Sequence, residues 1–169
     1  MSWIRSIAAR WRQRANQRGL TLVELASVSA IILIMASVTY PVANTMVKRQ
    51  KELELRRALR TIRTALDRFQ HDTERFPGIR INYLSRTNEE GYPEEIESLY
   101  QGVDIGDAAG TTLKYLRRLP LDPMTGTAEW STRSSRDDPK SVFSDGINIF
   151  DVRSTSEKIG LDGTRYNTW

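Results

Sequence analysis

No cysteine occurs in the 169 residues, and His71 is the only histidine. Disulfide staples and thiolate chemistry are therefore excluded, and zinc sites and nucleophilic triads lack the side chains they are built from. Ser154 and Ser156 have no base at a recognisable spacing. Asp145 and Asp151 offer two carboxylates, but any acidic loop supplies as much, and a lone histidine near a helix end reads as solvent-facing. The inventory points away from an enzyme.

Acids are missing from residues 1–19, which hold Arg5, Arg10, Arg12, Arg14 and Arg18. That segment carries +5 while the whole chain is +4, so residues 20–169 are about −1. The pI near 9.6 belongs largely to the leader. A nucleic-acid reading of the body, which would rest on Lys and Arg contacts to phosphate, loses its basis, and no nucleic-acid partner is expected.

Formal charge is absent from Leu25 to Val47, 23 residues, and roughly 20 apolar residues span a hydrocarbon core. Arginines before the run place the N-terminus in the cytoplasm and the body outside. A cleaved secretory signal, an ordinary single-span anchor and a buried helix of a soluble protein all compete for this pattern. Glu24 counts against each, because an acid within a membrane-length apolar run is costly and is presumed functional. The small residue beside the basic leader is Gly19, ahead of the apolar run. Cleavage there would leave the hydrophobic segment on the mature protein.

Arg18, Gly19, Leu20, Thr21, Leu22, Val23 and Glu24, followed by the apolar run and Pro41, resemble the type IV pilin and type II secretion pseudopilin family. The resemblance implies cutting after Gly19 by a prepilin peptidase and methylation of the new N-terminus, Leu20. Glu24 then becomes the fifth mature residue and Pro41 the twenty-second, both as in the family, although leucine replaces the commoner phenylalanine after the cut. It also implies a filament in which Glu24 of one subunit meets the Leu20 amine of a neighbour. Desolvation offsets much of that attraction, so the pair would set register rather than add net stability.

Gly and Pro are absent between Val47 and His71, and Leu55, Leu59, Ile62, Leu66 and Phe69 fall at spacings of four, three, four and three. This predicts an amphipathic continuation of the helix, with Lys51, Glu52, Arg56, Arg57, Arg60, Arg63 and Asp67 on the outer face. From Leu20 to His71 the helix would be roughly 78 Å long, kinked or locally melted at Pro41. The helix should end near "ERFPG" at 74–78. Residues 79–110 read as a mobile variable loop with a short helix around 94–100, and Thr111 to Leu119 as a short helical stretch. Strands near 127–132 and 147–152 should make a small antiparallel sheet against the helix. The expected fold is α+β: a long N-terminal helix, half membrane and half amphipathic, on a small C-terminal sheet, as in pilin-like folds.

"LPLDPMTGTAEW" at 119–130 and "INIFDVRSTSEKIGLDGTRYNTW" at 147–169 resemble the turn and tail of major pseudopilins of type II secretion systems. Members of that group tend to hold calcium where others use a disulfide. The oxygen-bearing stretch Asp151, Ser154, Ser156, Glu157 and Asp162 lies in the matching region, and plain solvated turns are the competing reading. The organisation implied is a leader, 1–19; a transmembrane and filament-core helix, 20–47; and a periplasmic head, 48–169. Partners would be further copies in a filament, minor pseudopilins, the prepilin peptidase, the inner-membrane assembly platform and the secretion ATPase, with the filament driving export of folded proteins. A surface type IV pilin and a DNA-uptake pseudopilin remain the alternatives.

Overall fold

The computed structural model describes residues 19–138, 141 and 144–169. The expected basic leader, apart from Gly19, lies outside the described residues. The chain divides into two compact units, Met1–Asn44 and Thr45–Trp169.

Helix α1 runs from Leu22 to Arg75. Its start is fixed by Thr21, whose Oγ1 accepts the Glu24 N–H at 3.2 Å, satisfying one donor that the first turn leaves without a partner. The helix continues through Pro41, so local melting there is corrected. Proline removes a single ladder hydrogen bond, and the turns on either side carry the helix across. α1 stops at Arg75 because Pro77 disfavours helical backbone at Phe76, which is extended at φ −121°, ψ 96°. Pro77 then opens the short helix α2, Pro77–Tyr83, where a missing N–H costs nothing.

In the unit Met1–Asn44, every described side chain from Leu20 to Ser37 is exposed. In the unit Thr45–Trp169, the stripe Leu55, Leu59, Ile62, Leu66 and Phe69 is buried to 2% exposure or less and shares one core with Val103, Trp130, Val152 and Tyr166. Strands β1, Val103–Asp104, and β2, Thr112–Leu113, pair antiparallel, as do β3, Trp130–Arg133, and β4, Asp151–Ser154. The α+β class, long helix and small antiparallel sheet are therefore as expected.

Several local expectations are corrected. The sheet is two separate two-stranded ribbons. Thr111 to Leu119 supplies β2 rather than a helix, because pairing with β1 and the acceptance of the Tyr115 and Leu116 N–H groups by Leu99 O hold it extended. Within 79–110 the short helix expected around 94–100 is present as α3 (Ser98–Gln101), but α2 and β1 add regular structure, and buried Asn88 binds the Gly91 N–H and the Tyr92 carbonyl.

Candidate functional site

Gly19 and Leu20 precede the helix in non-regular, exposed backbone. A Cβ built on Gly19 would meet nothing within 4 Å among the described residues. From sequence Thr21 stands only as one of the run Arg18 to Glu24, yet Thr21-x-x-Glu24 also has the spacing of a capping box. It starts the helix two residues beyond the Gly19–Leu20 bond and leaves that bond accessible. The Glu24 side chain is exposed, with no hydrogen-bond or ionic partner for its carboxylate among the described residues. Its place in the first turn suits the positive end of the helix dipole.

A second cluster binds the tail, residues 155–169, to α1. Glu52, assigned from sequence to the outer face, is buried at 8% exposure. Its position three and seven residues before Leu55 and Leu59 places it on the apolar stripe, where a carboxylate needs donors. Its Oε1 accepts the Tyr166 hydroxyl and the Leu161 N–H, both at 2.8 Å. Burial, then the hydrogen bond to Glu52, pushes the Tyr166 phenol up to about 12. Arg63 donates to Asp151 at 2.6 Å, to Val152 O at 3.1 Å and to Trp169 O at 3.0 Å. Arg56 lies over the Trp169 ring at 4.5 Å. Glu52 and Arg63 thus join helix, strand and tail, and the pattern of apolar spacing gave no sign of Arg63's three acceptors.

Among the described residues no group of three or more His, Cys, Asp or Glu side chains is placed to hold a metal ion, and the oxygen-bearing residues apart from Glu157 have partners of their own. Asp151 meets Arg63 and, at 3.8 Å, Arg153. Ser154 donates to Asp122 Oδ2 at 2.6 Å, and Asp122, fully buried, also accepts the Met124 N–H. Ser156 Oγ accepts the Lys158 N–H. Glu157 is exposed. Asp162 Oδ1 accepts both the N–H and the hydroxyl of Thr164, and its Oδ2 lies 3.8 Å from Arg56; the Thr164 bonds lead in holding its carboxyl below the usual range. Arginines and local hydrogen bonds thus engage oxygens of Asp151, Ser154 and Asp162, while the Glu157 carboxylate faces solvent. Whatever binds only the folded state stabilises it by RT ln(1 + [L]/Kd). If calcium binds the tail as the resemblance implies, the full chain in detergent should melt several degrees higher with millimolar calcium than with chelator. Equal melting temperatures would mean that Arg56, Arg63 and the local donors hold these oxygens without a metal.

Comparison of the chain with family models, with curated proteins and with solved structures gave no match.

Proposed function

We propose that this protein is a filament-forming subunit of the type IV pilin-like class, most like the pseudopilus subunit of a type II secretion system. The observation that carries the reading is the exposed apolar half of α1. An 18-residue window there has mean hydropathy 2.1 and none of it is buried within the chain. Such a surface requires a bilayer, other helices, or each in turn. Lateral packing in a filament meets the requirement after the subunit leaves the membrane.

The residues at the head of that helix support the same reading. Thr21 caps the helix, and Glu24 has no partner within the described chain. In the proposed cycle, a peptidase cuts after Gly19 while the apolar helix holds the subunit in the inner membrane with its head outside. Glu24 then meets the freed Leu20 amine of a neighbour as the subunit joins the filament.

Processing is tested by the intact mass of protein extracted from membranes. The expected mass is that of a chain beginning at Leu20 with one added methyl group. A bulky residue at position 19 should abolish cutting and accumulate precursor, whereas the head should melt as before. A mature chain starting beyond Ala43 would establish a cleaved secretory signal and overturn the filament reading.

A further inference from the structure

Charge is partitioned between the helix and the rest of the head. Residues 48–75 of α1 carry nine Lys or Arg against five acids, net +4, whereas 76–169 carry eleven against fifteen, net −4. Within 48–68, Arg57, Arg60, Thr64 and Arg68 follow at spacings of three, four and four, which places them on one helix face. All four are exposed. None of the three guanidiniums has a hydrogen-bond or ionic partner among the described residues, in contrast with Arg56 and Arg63, which the tail occupies. Arg60 and Thr64 border two recesses, about 670 Å³ toward Trp169 and about 290 Å³ toward Tyr115.

The acidic counterpart lies at the start of α3. Glu95 is exposed and Glu97 half-buried, and neither carboxylate has a partner among the described residues. Of the other acids nearby, Glu90 is committed to Arg136 at 2.8 Å and Glu94 to the Ser85 N–H and Asn88, while Glu89 is exposed.

We infer that the Arg57, Arg60 and Arg68 face is a docking surface for a second copy of this chain, which presents Glu95 and Glu97. The inference rests on the filament reading and names a contact within it. Two different patches meet, so the interface is heterologous, and repetition of it extends an open filament rather than closing a dimer. Arg57 lies ten residues beyond Val47, about 15 Å along the helix, and Arg68 about twice as far, which removes the face from the headgroups bordering the apolar run. Exposed pairs of this kind contribute little net affinity but fix orientation and suppress wrong docking.

The lack of native cysteine makes the test direct. Full-length copies carrying Arg60→Cys with one epitope tag are co-expressed with copies carrying Glu95→Cys with another, and membranes are treated with a short bis-maleimide. The expected product is a cross-linked dimer bearing both tags, at least fivefold more abundant than from Arg60→Cys with Thr125→Cys. Arg57→Glu with Arg60→Glu should lose filaments seen by electron microscopy, and adding Glu95→Lys with Glu97→Lys should restore them. Filaments without the two-tag dimer would overturn this surface and leave the filament reading intact. The dimer without filaments would keep the surface and overturn the filament. Absence of both would overturn both. Capture of Arg60→Cys by a maleimide-headgroup lipid in place of the Glu95→Cys copy would assign the face to the membrane and overturn the proposal.

Discussion

Replacing Gly78 by alanine should lower the melting temperature of the head by about 10 °C or more. A Cβ at Gly78 would clash with Ile105 O and sit 2.8 Å from Gly106 Cα. Both are backbone atoms, so no side chain can rotate away, and α2 must lift from the segment that follows β1. Overpacking of this kind typically costs 1–3 kcal/mol, occasionally more, against a total stability of about 5–15 kcal/mol. Gly106 faces the same contact from the other side, with Gly78 Cα 2.9 Å from its own added Cβ and φ at +76°. Gly106→Ala therefore adds backbone strain to the clash. Gly110 separates the two effects, because its φ is +65° but its Cβ would meet nothing within 4 Å. Gly110→Ala should cost about 1 kcal/mol from strain alone. Thermal unfolding of the full chain in detergent, followed by tryptophan emission, ranks the three. A Gly78→Ala protein that melts within two degrees of the parent, about 0.5 kcal/mol, would mean that α2 and the Gly106 turn do not approach this closely.

The close approach illustrates what a single sequence can and cannot carry. "RFPG" marks the end of α1 because Pro77 acts on its immediate neighbour, a local effect. That Gly78 must lack a side chain depends on Gly106, 28 positions away, and no local pattern announces it. The same division runs through the core. Leu55, Leu59, Ile62, Leu66 and Phe69 were legible because helical periodicity writes the buried face into the sequence. Glu52 was misplaced because its polarity outweighed its position; spacing alone puts it on the stripe, and its two donors come from a tail more than a hundred residues later.

Strand positions shifted for a related reason. Ile147 to Phe150 alternates like a strand, yet β4 begins at Asp151. Asn148 is drawn into a buried network with Ser134 and Ser135, and the Ile149 N–H is taken by Pro93 O. Asn148 and Ile149, neighbours in sequence, are both buried, so alternation fails here even for burial, and ladder membership depends on a partner strand, here β3 paired in register from Trp130 opposite Ser154 to Arg133 opposite Asp151. The roles proposed for Gly19, Leu20 and Glu24 run through other molecules, so the fold of the head does not bear on them; what the chain itself supplies there is local, the Thr21 cap on the Glu24 N–H.

Glu24→Leu should leave membrane insertion and head stability unchanged and abolish ordered filaments. Within the chain, Glu24 contributes only its favourable place at the positive end of α1, about 0.3–1 kcal/mol at an exposed site. Capping does not need its side chain, since Thr21 Oγ1 accepts the backbone N–H. A leucine there makes the apolar segment more hydrophobic, so insertion is retained. In the proposed filament the loss falls on assembly: the Leu20 amine of the neighbour would enter a low-dielectric seam with no carboxylate to meet it. Removing one partner of a buried charge pair costs about 3–5 kcal/mol, a factor of at least a hundred in association. Glu24→Gln keeps the shape and a hydrogen-bond acceptor while removing the charge, and should fall between the parent and Glu24→Leu. Blocking the cut with a bulky residue at position 19 removes the free amine instead. Combined with Glu24→Leu it should be no worse than either change alone, because both delete the same interaction. The measurement is filament yield by electron microscopy alongside the membrane-bound fraction. Filaments of normal yield from Glu24→Leu would show that register is set elsewhere, while a shortfall in the membrane-bound fraction would place the role of Glu24 in insertion rather than assembly.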